Sequence, residues 1–390
     1  MGSLSNLPFL TICCLKNYIS MKIIISANSS WNIYNFRFGL VSSLIKNNHE
    51  VIVLSTIDDY SKKLEEIGCK IIKISLNPNK KSPFDDSLLL INYIYLFYKL
   101  KPDIFLGFTI KPNIYGSIAA NITNIKVINN ISGLGTAFIE NNFLQTFIKF
   151  LYKLSLRKSF RVFFQNSDDL KLFKRNNLIY SDKSYVIPGS GINLNIYKYS
   201  PIKEHKTNTN FLFLGRFLWD KGIYELIKAI RIVKKNNNNV KFNFLGFIEK
   251  DNPRGIPENQ INEWINEGLI NYLGKTDDVR QHIIDSDCVL LPSYREGMPR
   301  SLIEAAAIGR PLIASNVAGC KDLIKEDLNG YLCKVKNYQD LCNKLNNFIS
   351  LPFKERLFMG KESRKIIENK FNEELIIDIY NKAIKSAFER

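Results

Sequence analysis

Short apolar runs alternate with amphipathic stretches along this chain from Met21 onward. Such alternation is typical of βαβ units, in which helices connect parallel strands. The pattern predicts helices over 36–47 and 371–388. It predicts strands over 22–26, 51–55, 70–74, 104–107, 126–130, 162–165, 211–214, 288–291 and 312–315.

A polar stretch over 193–210, which contains Pro201, separates two α/β halves. The chain of 390 residues is long enough for two domains of ordinary size. We therefore expect two facing doubly wound domains with a cleft between them. The expected N-terminal domain spans 21–195 and the C-terminal domain spans 205–370. Residues 1–20 are expected to be an extension, with the native start at Met21.

Residues 292–305 read PSYREGMPRSLIEA and place two carboxylates, Glu296 and Glu304, around a predicted helix start. Pro299 and Ser301 suit the first turn of a helix, where backbone N–H groups can bind an anion. The carboxylates repel phosphates but accept hydrogen bonds from sugar hydroxyls. The segment therefore predicts a site for a nucleotide sugar. The alternative is that both acids only complement the helix dipole.

Two cations follow the predicted strand 211–214 in the segment FLFLGRFLWDKG. Gly215 allows a tight turn, and Arg216 and Lys221 follow at the carboxyl end of the strand, where open α/β sheets bind ligands. These cations suit a diphosphate. The Arg guanidinium can donate two parallel hydrogen bonds to phosphate oxygens, and the Lys ammonium provides a compact positive charge. The alternative is two solvated surface cations.

Together these segments resemble the retaining GT-B glycosyltransferases of family 4. Their E-x7-E motif matches Glu296 and Glu304, and their Gly-Arg-(x)n-Lys segment matches Gly215, Arg216 and Lys221. The segments VIPGSGIN, NYLGKTDDVR and VAGCKDLI agree with this family. Four others are similar to the branch that builds capsules, O-antigens and N-glycan precursors on undecaprenyl diphosphate, which includes N-acetylgalactosaminyltransferases: SWNIYNFRFGL, TIKPNIYGS, NNISGLGTAF and FFQNSDDLKLF.

The resemblance implies the GT-B fold, with two Rossmann-like domains and a last helix, 371–390, that packs back onto the first. It implies a UDP-sugar in the second domain, where Arg216 and Lys221 neutralise the diphosphate. Glu304 would bind ribose hydroxyls, and Glu296 would contact the transferred sugar. The other donor-binding candidates are Gly215, Gly297, Met298, Pro299, Arg300, Ser301 and Gly274.

Acceptor-binding candidates follow predicted strands of the first half, and they are Thr109, Lys111, Asn113, Ser132 and Gly133. Lys111 would bind the lipid diphosphate of the acceptor, and the alternative is an ordinary surface lysine.

The first predicted turn, 26–30, reads SANSS and contains no glycine. A nicotinamide-binding Rossmann domain needs G-x-G-x-x-G there, so we exclude a dehydrogenase. Many glycosyltransferases of the family carry a glycine pair in this loop, and this chain departs from them. Asn28 and Ser29 could instead donate side-chain hydrogen bonds to the donor.

Charge and composition limit the classes of partner that the protein can bind. The 54 Lys and Arg residues exceed the 37 Asp and Glu residues and give a net charge of +17, which implies an acidic partner. No basic run interleaved with aromatic residues indicates a nucleic-acid groove. Three His and seven scattered Cys residues, without a C-x-x-C pair, argue against a metal site and fit a reducing cytoplasm.

A possible membrane-binding segment begins at Phe143. Apolar residues recur there at helical spacing, and basic residues line one flank; they are Phe143, Phe147, Phe150, Leu151 and Leu154, with Lys149, Lys153 and Arg157. A basic amphipathic helix can lie on an anionic leaflet. We expect a peripheral location on the inner face of the cytoplasmic membrane. The alternative is a core-facing helix with a solvated flank.

The sequence thus predicts a retaining glycosyltransferase that needs no metal or other cofactor. It would move an N-acetylhexosamine or related sugar from a UDP-sugar to an undecaprenyl-diphosphate-linked saccharide, without a nucleic-acid partner. The alternatives are a GT-B UDP-sugar 2-epimerase and a basic module that binds nucleic acid or membrane.

Overall fold

The computed structural model describes residues 20–76, 82–134, 143–204, 208–249 and 252–389. Within these ranges the first sheet is parallel, with strand order β3-β2-β1-β4-β5-β6-β7. The second, also parallel, has the order β10-β9-β8-β11-β12-β13. The strands are β1 (Lys22–Ser29), β2 (Glu50–Thr56), β3 (Lys70–Lys73), β4 (Ile104–Phe108), β5 (Lys126–Ile131), β6 (Arg161–Phe164), β7 (Ser184–Val186), β8 (Thr209–Leu214), β9 (Val240–Leu245), β10 (Asn271–Tyr272), β11 (Cys288–Leu291), β12 (Leu312–Ser315) and β13 (Gly330–Cys333).

Helices connect the strands in both halves. They are α1 (Ser30–Lys46), α2 (Tyr60–Glu66), α3 (Pro83–Leu100), α4 (Ser117–Ile122), α5 (Phe143–Leu156), α6 (Ser167–Arg175), α7 (Ile223–Asn236), α8 (Glu258–Asn266), α9 (Arg280–Ile284), α10 (Arg300–Ile308), α11 (Cys320–Leu323), α12 (Tyr338–Ser350), α13 (Phe353–Lys370) and α14 (Glu373–Phe388). A π-helical turn spans Pro112–Gly116, and 3-10 turns span Ser181–Lys183 and Trp219–Lys221.

The side chains of β1 show why the first sheet is covered on both faces. Ile23 and Ile25 belong to a core that includes α1, α2 and α14, whereas Ile24 packs with α3. Successive residues of a strand point to opposite faces, so a run of apolar residues is buried only if helices cover both. The predicted α/β architecture with two doubly wound sheets is confirmed.

The order of the strands reverses at β1 and β4 in the first sheet and at β8 and β11 in the second. Ligands of open α/β sheets bind at the carboxyl ends of strands beside such a reversal. The topology therefore predicts a functional site at the loops that follow these four strands.

The first helix begins six residues earlier than the predicted start at Phe36. β1 continues through Ser29, and the Ser29 hydroxyl accepts a hydrogen bond from the backbone N–H of Asn32 (3.2 Å), which caps α1. Side-chain caps of this kind fix helix starts. The turn predicted over 26–30 is therefore wrong, because the strand passes directly into the helix.

The last helix returns to the first sheet. Ile192 donates its backbone N–H to the carbonyl oxygen of Phe371 (2.8 Å), and Glu373 donates to the carbonyl oxygen of Ile192 (3.0 Å). From there α14 packs against α1 and buries Tyr380, whose hydroxyl oxygen accepts a hydrogen bond from Asn130 (2.8 Å).

Candidate active site

Two loops of the second sheet pack side by side because β8 and β11 are neighbours. Tyr294 donates its backbone N–H to the carbonyl oxygen of Asp220 (2.9 Å). Gly222 has φ +70°, and a Cβ there would lie 2.0 Å from the carbonyl oxygen of Pro292. Glycine is therefore required at this position, and it lets the loop after β8 contact the loop after β11.

Lys221 and Glu296 meet where these loops touch. The Lys221 Nζ lies 2.5 Å from the Glu296 Oε1, and the two side chains are only 19% and 11% exposed. A partly buried cation and carboxylate stabilise each other in this way, and neither is left uncompensated. A ligand with an anionic group for Lys221 and a hydroxyl for Glu296 could replace this contact without leaving either charge unpaired.

Arg216 lies on the other side of the loop after β8. Its guanidinium donates to the Glu249 Oε1 (3.0 Å), which follows β9, and the side chain is 54% exposed. Burial opposes ionisation of Glu249, but a hydrogen bond from Asn252 and the charge of Arg216 outweigh it and lower the Glu249 pKa. The structure thus places the two predicted cations on opposite flanks of β8, each with its own carboxylate.

Glu304 lies in the second turn of α10 and is held by two donors. Its Oε1 accepts hydrogen bonds from the Tyr197 hydroxyl (2.9 Å) and the Arg300 Nε (3.0 Å). Burial and the Glu304 charge raise the pKa of Tyr197 above its ordinary value, so the phenol stays protonated as a donor. Arg300 also donates to the carbonyl oxygen of Gly191 (2.5 Å) and so ties α10 to the connection between the sheets.

The start of α10 has no side-chain cap. Pro299 occupies the N-cap position and is buried, and Ser301 lies partly buried in the first turn. The backbone N–H groups of an uncapped first turn have no partners within the helix and suit an anion.

Gly297 and Met298 bring this loop against the first half of the chain. A Cβ on Gly297 would lie 2.1 Å from the Ser132 carbonyl oxygen, and one on Gly189 would lie 2.8 Å from the Met298 Cγ. The Gly297 carbonyl oxygen also accepts a hydrogen bond from Asn166 (2.9 Å). The predicted donor-side loop and the predicted acceptor-side loop at Ser132 are therefore in direct contact.

Gly133 has φ +143° and lies against Gly297. At the far side of the second sheet, Gly274 has φ +79° and accepts a hydrogen bond from the Gly246 N–H (2.9 Å). A Cβ on Gly246 would lie 1.8 Å from the Gly215 carbonyl oxygen. The glycines at these ends of strands allow close backbone contacts between neighbouring loops.

Thr109 directly follows β4 and has φ +62°. This conformation is unusual for a β-branched residue and is found mainly at functional or strained sites. Its hydroxyl donates to the Asn28 Oδ1 (2.9 Å), which joins the end of β1 to the residue that follows β4. The Asn28 side chain, predicted to donate to a ligand, thus accepts a hydrogen bond within the protein.

Lys111 and Asn113 are engaged within the protein. The Lys111 Nζ lies 2.9 Å from the Asp86 Oδ1, and the lysine side chain is 15% exposed. Asn113 is 1% exposed; it donates to the Asn130 carbonyl oxygen (2.8 Å) and accepts from the Asn129 amide (2.9 Å). The Asn113 amide is thus buried in a network that positions β5, and its contact with the acceptor stays a prediction.

Sequence reasoning missed the contact between Arg295 and Asp169. The Arg295 guanidinium donates to the Asp169 Oδ1 (3.0 Å), and the aspartate side chain is 3% exposed. Arg295 precedes Glu296, so this ion pair helps fix the catalytic candidate against α6. The only sequence signal was the helix-start pattern Asn166-Ser167-Asp168-Asp169, which does not indicate a distant partner.

Neither a metal site nor a membrane span emerges from the part of the chain that the structure describes. Its His, Cys, Asp and Glu side chains form no group of three that could hold an ion. None of its helices combines the length and the apolar character needed to cross a bilayer.

Two family models match the chain. The model described as Glycosyl transferase 4-like matches residues 22–166, and the model described as Glycosyl transferases group 1 matches residues 198–370.

The relatives are glycosyltransferases. The chain is 29% identical to the N,N'-diacetylbacillosaminyl-diphospho-undecaprenol alpha-1,3-N-acetylgalactosaminyltransferase of Campylobacter jejuni, covering 94% of this chain and 100% of that protein. It is 24% identical to the UDP-Gal:alpha-D-GlcNAc-diphosphoundecaprenol alpha-1,3-galactosyltransferase of Escherichia coli, covering 74% and 76%. The 2-epimerase alternative gains no support from these relatives.

The fold is similar to that of HepE from Anabaena in complex with UDP and glucose. The TM-score is 0.78 at 18% identity, and the match covers 94% of this chain and 100% of that chain. The predicted GT-B fold is thus confirmed.

Proposed function

The chain is a glycosyltransferase with the GT-B fold, and from this premise we propose the reaction that it catalyses. It transfers an N-acetylhexosamine or a related sugar from UDP to a saccharide linked to undecaprenyl diphosphate, with retention of anomeric configuration. The names of the Campylobacter jejuni and Escherichia coli relatives support this acceptor class, and the second supports a UDP-linked donor. Capsule, O-antigen or related glycan synthesis would use the product.

The Lys221–Glu296 contact is the observation that carries the proposal. The UDP-sugar diphosphate binds Lys221, which stabilises the charge that grows on the leaving phosphate, so this interaction strengthens toward the transition state. Glu296 is then released to accept hydrogen bonds from hydroxyls of the transferred sugar. Arg216 is exposed enough to turn from Glu249 toward the same diphosphate.

The rest of the donor site follows from α10 and its preceding loop. Glu304, already oriented by Tyr197 and Arg300, accepts hydrogen bonds from the ribose hydroxyls. The uncapped first turn at Arg300 and Ser301 faces an anionic group. Gly215, Gly274 and the segment Gly297–Pro299 let the backbone approach the nucleotide.

The acceptor approaches from the first sheet. Ser132 and Gly133 touch the Glu296 loop, so a saccharide hydroxyl beside them is close to the anomeric carbon. The departing phosphate takes the proton of the attacking hydroxyl, and the reaction needs no histidine base and no metal. Thr109 and Lys111 lie at the end of the neighbouring strand, where Lys111 exchanges Asp86 for the acceptor diphosphate.

Helix α5 brings the protein to the inner face of the cytoplasmic membrane. Phe147, Phe150 and Leu154 are exposed, and Lys153 and Arg157 rim a groove of about 490 Å³ beside them. Exposed apolar residues with a basic flank suit an anionic lipid surface. Lys149 is partly buried on the same helix, as is Leu151, and the Phe143 side chain lies outside the described residues.

A donor panel tests the proposed function. Purified protein is incubated with each UDP-sugar, with and without undecaprenyl-diphosphate-linked saccharides, and UDP release is measured. We expect release that requires the lipid-linked acceptor and is selective for one donor. Release that is equal without acceptor, or a sugar that is epimerised with no transfer, would contradict the proposal. Activity that persists in excess chelator is expected for a reaction without a metal.

A further inference from the structure

Helix α3 carries a stripe of large apolar side chains that no described residue covers. Phe84, Leu88, Ile91, Tyr95 and Tyr98 are each between 44% and 71% exposed. The opposite face of the helix, with Leu89, Tyr93 and Phe97, is buried against the first sheet. An exposed apolar surface of this extent in a water-facing helix indicates a binding partner.

The spacing of the stripe is that of a helix–helix seam. The five positions follow each other at intervals of four, three, four and three residues, which is the repeat of a and d positions in a coiled coil. The stripe is narrow, because polar residues stand directly beside it: Ser87 on one side, and Asn92 and Lys99 on the other. A helix that lies in a membrane presents a broad apolar face and a strongly charged polar one.

The difference from α5 argues against a lipid partner for α3. Lys149 and Lys153 on α5, with Arg157 directly after it, flank the exposed apolar side chains, whereas on α3 Lys99 is the only charged residue after Asp86. An anionic leaflet would gain little electrostatic attraction from α3. A second helix fits the stripe better.

We propose that α3 pairs antiparallel with α3 of a second copy of this chain. The stripe is nearly symmetric about Ile91, so a two-fold axis there sets Ile91 against its own copy. It also sets Leu88 opposite Tyr95 of the second copy and Phe84 opposite Tyr98 of the second copy. A two-fold interface requires such self-complementarity, because each contact occurs twice.

The charges at the ends of α3 agree with this orientation. Asp85 lies in the first turn, one residue after Phe84, and Lys99 lies in the last turn, one residue after Tyr98. Both residues therefore stand on the same flank of the stripe. A two-fold axis across the helix preserves that flank, so it brings Asp85 beside Lys99 of the second copy. Parallel pairing would instead bring Asp85 toward Asp85 of the second copy and Lys99 toward Lys99 of the second copy.

The length of the seam sets the expected strength. The fifteen residues from Phe84 to Tyr98 span about 21 Å of helix, which is a smaller contact than those of obligate dimers. We expect a reversible dimer that dissociates on dilution. The inference concerns the oligomeric state and is independent of the sugar-transfer reaction, so either proposal can fail alone.

Sedimentation velocity of the full chain over a range of concentrations tests the pairing. The unmodified chain should shift from monomer to dimer as concentration rises. Ile91→Glu should remain monomeric, because it places two carboxylates opposite each other at the centre of the seam. Ser87→Glu adds the same charge to the same helix, but the two-fold axis sets residue 87 and its copy about 12 Å apart along the seam, so this variant should dimerise like the unmodified chain. Circular dichroism verifies that both variants fold.

Cysteine cross-linking distinguishes the antiparallel seam from other contacts. Ile91→Cys should form a disulfide-linked dimer on mild oxidation, and Leu88→Cys should not cross-link to itself. A mixture of Leu88→Cys with Tyr95→Cys should give the mixed dimer. A chain that stays monomeric at every concentration would overturn the proposal. So would efficient self-linking of Leu88→Cys, or an Ile91→Glu variant that loses vesicle binding while the unmodified chain is monomeric.

Discussion

At the carboxyl edge of the second sheet, charged side chains pair across neighbouring loops, whereas at the adjoining edge of the first sheet amides and hydroxyls dominate. The charged pairs are Lys221–Glu296, Arg216–Glu249 and Arg254–Asp220. The uncharged contacts are Asn129–Asn113, Thr109–Asn28 and Ser132–Asn130. An ion pair can open around a charged ligand and keep both of its charges compensated. A network of amides and hydroxyls has no charge to exchange with a charged ligand. It instead keeps a fixed geometry that suits a neutral saccharide.

The strongest test of this contrast removes the charge that the donor needs. Lys221→Met should lower kcat/KM about hundredfold or more, because it deletes a preorganised cation that stabilises the leaving phosphate. Steady-state assays of UDP release measure the loss. Lys235→Met removes an exposed lysine in the last turn of α7 and serves as the matched control. Equal activity in the two variants would contradict the role of Lys221.

The contact between the two edges can be blocked with one methyl group. Gly297→Ala should lower kcat/KM about tenfold or more, because its Cβ would lie 2.1 Å from the Ser132 carbonyl oxygen. The same kinetic assay measures the effect, and a thermal melt verifies folding. Gly268→Ala is the control, since it adds the same methyl group in open space; the strain of its left-handed φ of +69° lowers stability in the melt without touching the two edges. If Gly297→Ala behaves like that control, closure of the two edges is not required for transfer.

A smaller loss of activity is expected where an uncharged hydrogen-bond donor only orients a carboxylate. Tyr197→Phe removes the hydroxyl that donates to Glu304 (2.9 Å). We expect KM for the UDP-sugar to rise about tenfold with little change in kcat, which corresponds to about 1.4 kcal/mol. Tyr199→Phe, whose ring lies against Gly309, is the matched control. A fall in kcat at constant KM would assign Tyr197 to the chemical step instead.

The amide network should respond in stability more than in donor binding. Asn113→Ala leaves the Asn130 carbonyl oxygen and the Asn129 amide without these hydrogen bonds, which costs about 1–3 kcal/mol of unfolding free energy. Urea denaturation measures it. Asn92→Ala, on the exposed face of α3, should change stability by less than about 0.5 kcal/mol. An unchanged unfolding midpoint in Asn113→Ala would mean that the network contributes nothing to stability.

The sequence was sufficient for the architecture and for selecting Lys221 and Glu296, but the ion pair between them is visible only in the structure. Apolar runs that are buried on both faces, such as 288–291 and 312–315, coincide with β11 and β12 because little else fits so short an apolar segment. Lys221 and Glu296 are expected at one bound donor because each follows a strand whose carboxyl end can meet a ligand, and β8 and β11 proved to be neighbours.

The hydrophobic pattern could not predict the contacts between distant segments of the chain. The early start of α1 depends on Ser29 as a cap, and a polar residue after a strand equally indicates a turn. Asn113 looked accessible because it follows a strand end, but a π-helical turn directs its amide inward to β5. The partner of Arg216 was hidden because Glu249 belongs to another loop, and periodicity carries no information on pairing between loops.

The most direct test of the central claim is the affinity for UDP of Lys221→Met and Glu296→Gln, measured by isothermal titration calorimetry. If the donor diphosphate replaces Glu296 as the partner of Lys221, Lys221→Met should bind UDP more weakly. Glu296→Gln should bind it as tightly as the unmodified chain or more tightly, while transferring no sugar. Equal weakening in both variants, or no change in Lys221→Met, would contradict the account.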